Sequence, residues 1–180
     1  MKRICVFAGS SAGNDPVFIE RTKALGKRLA EMNMELVYGG AKSGLMGVLA
    51  DQVLDSGGKV TGIMPSHLFE KEVVHPNLTE MIEVETMHER KAKMSELADG
   101  FIALPGGFGT FEELFETVSW AQIGLHTKPL ALYNIAEYYT PLVQLIEHAI
   151  KAGFVPEDNR KLFIDAKDPT CLLNGMQQKQ

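Results

Sequence analysis

Apolar positions along the chain fall into two alternating rhythms. Short runs dominated by apolar residues, RICVFA at 3–8 and GFIALP at 100–105 among them, read as strands buried on both faces. Between them, apolar residues recur every three or four positions, as in a helix that packs by one stripe. The predicted strands are RICVFA, ELVYGG, KVTGIM, MIEVE, GFIALP, PLALYN and a weaker LFIDA. The predicted helices cover residues 16–32, 45–55, 87–97, 110–125 and 139–152. Pro16 suits the first turn of the first of them. Residues 65–76 are too polar and broken to assign.

Fully apolar strands separated by helices imply a parallel sheet covered on both faces. With right-handed crossovers, the expected fold is α/β: a doubly wound, mainly parallel Rossmann-like sheet with helices on both faces. No repeat, linker or low-complexity stretch divides the chain, so residues 1–180 are expected to form a single domain.

Composition narrows the chemistry. With 180 residues, 45% of them apolar, the chain can bury a full core. A formal charge of −5 argues against a general nucleic-acid coat, though not against a local anion site. Cys5 and Cys171 sit at opposite ends with no metal-binding or redox spacing. The opening MKRICVFAGSSAG has too short an apolar run for a signal peptide, and no other segment could span a bilayer. A soluble, cytoplasmic protein is expected. The histidines, His67, His75, His88, His126 and His148, show no metal-ligand spacing, so no metal is assigned.

In such sheets ligands bind beyond the carboxyl ends of the strands. Three glycine-bearing loops fall there: GSSAG, GGAKSGLMG and PGGFGT. The first has Gly9 and Gly13 four apart, which fails the dinucleotide fingerprint. Strand two ends in Gly39 and Gly40, where a dinucleotide-binding protein would place an acid. GGAKSG lacks the residue order of a phosphate-binding P-loop around Lys42. Both loops can equally be ordinary strand-to-helix turns.

PGGFGT is more specific. It delivers the chain into a helix whose first amides are unpaired and partly positive, a ready phosphate site. Gly106, Gly107 and Gly109 put no side chain in the way, and Thr110 adds a hydroxyl. The competing account is that Thr110 and Glu113 form a capping box and do nothing else. A second constellation, MHERK at residues 87–91, follows strand four and opens at the same edge. Thr86 and Glu89 there form another potential capping box, which places Arg90 near a helix start that disfavours cations. For Lys91 and Lys93 a solvated basic face is the alternative.

Taken together, PGGFGT followed by FEE and the upstream MHERK resemble the LOG family, the cytokinin-activating nucleoside 5′-monophosphate phosphoribohydrolases often labelled lysine decarboxylase-like. The PGGxGTxxE motif is matched by Pro105, Gly106, Gly107, Gly109, Thr110 and Glu113, and the MxxRK element by Met87, Arg90 and Lys91. The likeness runs from GSSAG through GGAKSGLMG to WAQIGLHTKP. It implies hydrolysis of the N-glycosidic bond of AMP or an N6-substituted AMP, giving free base and ribose 5-phosphate. It also implies a homodimer and no metal or organic cofactor. A lysine decarboxylase would need a lysine bearing pyridoxal phosphate, which no motif identifies.

The residues suit that chemistry. Glycosidic cleavage passes through an oxocarbenium-like sugar, which a fixed carboxylate can stabilise while holding or activating water. Glu113 is expected in that role, kept ionised by the helix dipole, with Arg90 as a cation bridging anions or bonding the departing base. The resemblance adds Glu72 as a substrate-contacting acid and, more loosely, Ser119. Substrate contacts are expected from Glu72, Arg90, Lys91, Gly106, Gly107, Phe108, Gly109, Thr110 and Glu113. Phe108 and Phe111 can also be core. Phe111, Leu114, Phe115 and Val118 form one apolar stripe, and Trp120 projects near the face of Glu113, a surface suited to a homodimer. The alternative function is a non-catalytic nucleotide- or cofactor-binding module of the same fold.

Overall fold

A computed structural model describes residues 1–68 and 73–179. Its strands are β1 (Arg3–Phe7), β2 (Glu35–Tyr38), β3 (Val60–Pro65), β4 (Glu80–Val84), β5 (Gly100–Ala103), β6 (Leu130–Tyr133) and β7 (Phe163–Ala166). They form one seven-stranded sheet in the order β4-β3-β2-β1-β5-β6-β7, with every pairing parallel. The helices are α1 (Pro16–Glu31), α2 (Gly44–Asp55), α3 (Met87–Leu97), α4 (Phe108–Gln122), α5 (Thr140–Lys151) and α6 (Pro169–Gln178). The doubly wound α/β expectation holds.

Strand alternation divides the core into two layers. Ile4 and Val6 pack with Leu25 and Leu29 of α1, Leu49 and Val53 of α2, and Leu172 and Met176 of α6. Cys5 and Phe7, one position out of phase, pack with Met94 of α3 and Leu114 of α4. Strand order reverses between β1 and β5, and the loops that follow these two strands part there to leave a crevice.

Helix starts follow local chemistry. Asp15 accepts a hydrogen bond from the Val17 amide at 2.9 Å ahead of Pro16 in α1. Thr86 caps α3, accepting from the Glu89 amide at 3.1 Å, while the Glu89 carboxylate accepts from the Glu85 amide at 2.9 Å. That box forms, one residue wider than the standard pattern. The expected box on α4 does not. This helix begins at Phe108, two residues before the predicted start, with Gly107 as an N-cap that has no side chain to contribute. Thr110 therefore lies inside the first turn, buried beneath the loop, where it cannot cap.

Two further features escaped the pattern. Helix α6, capped by Asp168 through the Cys171 amide at 2.8 Å, buries Leu172, Leu173 and Met176. The unassigned stretch extends β3 to Pro65, adds a single turn at Ser66–Leu68, and returns to bridge Val74 with Ala41. His75 is buried with its Nε2 3.0 Å from the Asp51 carboxylate.

Candidate active site

The crevice between β1 and β5 opens into a cavity of about 310 Å³. Its walls come from Gly9 to Gly13 after β1, Leu45 at the start of α2, and Pro105 to Gly107 before α4. Phe18 and Tyr138 complete it. The GSSAG loop is therefore part of a pocket and not only a turn. Its backbone meets PGGFGT directly: the Gly9 amide donates to the Pro105 carbonyl at 3.1 Å. A Cβ on Gly9 would stand 3.0 Å from the Gly106 Cα, so the two loops can approach only as glycines. Gly44, at φ +57°, gives the same close approach from α2, where a Cβ would fall 2.3 Å from the Ser10 carbonyl carbon.

The cavity faces the amino end of α4. With glycine at the cap, the first amides of that helix keep their hydrogen-bonding capacity for a ligand. A Cβ at Gly106 would collide with Thr110 Oγ1 at 2.1 Å, whereas one at Gly107 or Gly109 would meet nothing within 4 Å. The glycines thus differ in purpose. Gly106 is required by the fold, and Gly107 leaves open space beside the cavity.

Arg90, Lys91 and Glu113 lie outside the lining of this cavity, on the side of the sheet covered by α3 and α4. Arg90 is 8% exposed, and its Nε donates to the Ile63 carbonyl at 3.1 Å. Its guanidinium occupies the space over Gly39, at the end of β2. Lys91 does not point toward the cavity. It crosses from α3 to α4 and binds Glu112 at 2.5 Å and Glu116 at 3.0 Å.

Three carboxylates thus crowd one stretch of α4, and two are consumed by Lys91. Among the described residues, the third, Glu113, has no ion-pair or hydrogen-bond partner for its carboxylate. Burial pushes its pKa up from 4.5 to about 7, against the downward pull of Arg90. Glu112 and Glu116 push it further up, and Lys91 opposes them. The expectation that the helix dipole keeps Glu113 ionised is therefore corrected. Glu113 sits in the second turn, where the dipole has faded and desolvation wins. A small recess beside it is lined by Phe7, Ser95, Thr117 and Trp120, so Trp120 does share the face of Glu113.

The remaining predicted contacts scatter. Phe108 is 91% exposed and is not core, whereas Phe111 is half-buried and stacks on Tyr138 at 6.4 Å. Gly109 is exposed and Thr110 buried. Ser119 faces solvent, its hydroxyl donating to the Phe115 carbonyl at 2.7 Å. Glu72 lies outside the described residues. Among those described, no group of three His, Cys, Asp or Glu side chains could hold a metal ion. Tyr138 went unremarked in the sequence because a YY pair before a helix carries no motif of its own.

A family profile described as "Possible lysine decarboxylase" matches residues 46–176. The cytokinin riboside 5′-monophosphate phosphoribohydrolase LOG2 of Arabidopsis thaliana is 44% identical over 98% of this chain and 83% of its own length. The cytokinin riboside 5′-monophosphate phosphoribohydrolase LOG of Oryza sativa subsp. japonica is 45% identical over 92% of this chain and 68% of its own. Among solved structures, the molybdenum cofactor carrier protein of Chlamydomonas reinhardtii covers 99% of this chain and 97% of its own at TM-score 0.74 and 18% identity. The molybdenum cofactor binding protein of Rippkaea orientalis covers 99% and 97% at TM-score 0.70 and 20% identity. Those two share the fold.

The decarboxylase description does not fit these residues. Such chemistry rests on a lysine bound to pyridoxal phosphate. The cavity lining contains no lysine, Lys91 is held by two carboxylates, and Lys128 donates to the Ser95 carbonyl at 2.6 Å.

Proposed function

The chain belongs to the LOG family of cytokinin riboside 5′-monophosphate phosphoribohydrolases, and we propose that it hydrolyses the N-glycosidic bond of AMP or an N6-substituted AMP. The products are the free base and ribose 5-phosphate. The observation that carries this reading is Glu113: a half-buried carboxylate with no partner among the described residues, poised near neutrality, on the helix whose amino end faces a glycine-walled cavity.

The phosphate would bind at Gly106, Gly107 and the first amides of α4. Glu113 lies six residues beyond Gly107, about 9 Å along the helix axis. In this reading a nucleotide anchored by its phosphate carries its sugar over the strand ends, from the cavity to the side of the sheet on which the carboxylate lies. As the C1′–N bond breaks, its electron pair goes to the base and positive charge grows on the ribose. Ionised Glu113 stabilises that charge and takes a proton from the attacking water, whose oxygen bonds to C1′. The departing base takes a proton from solvent, and Glu113 returns the water's proton to solvent, which restores the carboxylate. Arg90, a permanent cation beside Glu113, offsets the repulsion between carboxylate and phosphate. A pKa of about 7 suits a general base at neutral pH.

The same reading includes a homodimer in the cytoplasm. Phe108 and Phe115 on α4, Ile123 and Leu125 beyond it, and Leu145 on α5 are exposed large apolar residues. Covering them with a second copy supplies the apolar burial that the monomer lacks. No described helix is long and apolar enough to cross a membrane.

Incubation with AMP, followed by chromatography, tests the function. Release of adenine and ribose 5-phosphate, with adenosine left intact, is the expected result. AMP binding without cleavage would establish instead a nucleotide-binding module of this fold.

A further inference from the structure

Among the described residues, the segment between β6 and α5 carries two consecutive non-glycine residues at positive φ. Ala136 and Glu137 both adopt left-handed conformations, at φ 49° and φ 63°. Left-handed geometry is costly for residues with a Cβ, and two in succession persist only where the surroundings enforce them. The surroundings do so here. The Asn134 side chain accepts from the Tyr139 amide at 2.7 Å, and Lys167 holds the Glu137 carboxylate at 2.6 Å. The outcome is that two consecutive tyrosines point at the PGGFGT loop. Tyr139 donates its hydroxyl to the Leu104 carbonyl at 2.6 Å, and Tyr138 donates its own to the Gly106 carbonyl. The Tyr138 ring is fixed by Phe111 stacked at 6.4 Å, by the edge of Phe18 at 6.2 Å and by Tyr139 at 5.1 Å.

The Gly106 carbonyl belongs to the same peptide plane as the Gly107 amide. A peptide is planar and trans, so fixing the carbonyl on one side fixes the N–H on the other. This plane joins two glycines, and neither has a Cβ to resist its rotation. Left free, it could turn over. Turned over, it would exchange the directions of the Gly106 oxygen and the Gly107 amide in the wall that these two residues form, and an oxygen directed at an anion repels it. We infer that Tyr138 is a positioning residue for the phosphate cradle: its hydroxyl locks the Gly106–Gly107 peptide in the orientation that receives an anion. The inference rests on the phosphate site assigned above. It adds a function to Tyr138, which lines the cavity but needs no contact with the reacting atoms to act.

Tyr138→Phe keeps the ring and its stacking and removes only the lock. In steady-state hydrolysis of AMP, KM should rise about tenfold while kcat stays within about threefold, the split expected when uniform binding is lost. Titration calorimetry with ribose 5-phosphate should show a similar loss of affinity, and adenine binding should be unchanged. A loosened fold would weaken both ligands together. Equal weakening of adenine and ribose 5-phosphate, or an unchanged affinity for ribose 5-phosphate, overturns the lock. If the wild-type protein binds ribose 5-phosphate without cleaving AMP, the hydrolase reading fails and the calorimetry alone decides the role of Tyr138.

Discussion

The Arg90 guanidinium stands where a side chain on Gly39 would begin: its Nη2 is 1.9 Å from the position of a Cβ there. Gly39 directly follows β2, and Arg90 reaches it from the first turn of α3 while donating to the Ile63 carbonyl of β3. A carbonyl within β3 thus holds the guanidinium, and the missing side chain after β2 leaves room for it. The strand-two glycine that argued against a dinucleotide site has a positive purpose.

Gly39→Ala should consequently act as a mutation of Arg90. The residue is not at positive φ, so alanine introduces little backbone strain, but the guanidinium must move. If Arg90 acts on the substrate as proposed, displacing it by an ångström costs up to about a hundredfold. A fall of that order in kcat/KM for AMP is expected, close to the effect of Arg90→Ala. Full activity in Gly39→Ala would remove Arg90 from the mechanism.

Glu113→Gln should reduce turnover by at least about a hundredfold, because it removes the charge and the base together. Folding should not suffer. The carboxylate caps nothing, since α4 starts at Phe108 behind Gly107. Its pKa rises from 4.5 to about 7 on folding, so the folded state holds the proton more tightly than the unfolded chain. The stability this contributes is complete below pH 4.5 and lost as pH climbs through about 7. Thermal melts from pH 4 to 8 should show that the variant lacks this loss and melts at least as high as wild type at pH 8.

Lys91→Ala tests the charge balance around the same group. Without Lys91, Glu112 and Glu116 lose their shared cation and push harder against ionisation of Glu113. The acid limb of the kcat/KM profile, expected near pH 7, should move to higher pH. Lys91→Arg should restore part of the shift. An unmoved limb with uniformly reduced activity would point instead to direct substrate contact by Lys91.

The two glycines of the loop should separate fold from binding. Gly106→Ala forces a Cβ to within 2.1 Å of Thr110 Oγ1, so the melting temperature should drop, by overpacking worth about 1–3 kcal/mol. Gly107→Ala meets nothing in the free protein, and its effect on stability should stay within about 1 kcal/mol, the scale of a cap substitution. Its affinity for AMP should nevertheless fall, because the methyl group takes space beside the cavity. Calorimetric melts alongside KM measurements distinguish the two.

The periods of the chain determined the sheet. Among the described residues, seven runs and the helical stripes between them located every strand and five of the six helices. For the central strands β1, β2, β3, β5 and β6 burial on both faces writes itself into consecutive residues, whereas the edge strands β4 and β7 are only partly buried. The resemblance to the PGGxGTxxE motif pointed to Glu113 among three acids in FEELFE, and strand order placed Arg90 and the glycine loop at one sheet edge. Local pattern could not decide what each group faced. Thr110 and Glu113 have the spacing of a capping box, yet the helix starts two residues earlier and Thr110 packs beneath Gly106. Lys91 and Arg90 are neighbours in sequence, but adjacent helical positions point about 100° apart. One neutralises carboxylates on α4 while the other is buried against β2 and β3. Tyr138 reaches Gly106 across 32 residues. The ionisation of Glu113 depends on burial by elements drawn from across the chain. Periodicity is a property of neighbours along the chain, whereas desolvation and hydrogen bonding depend on neighbours in space, and only the folded sheet brings those together.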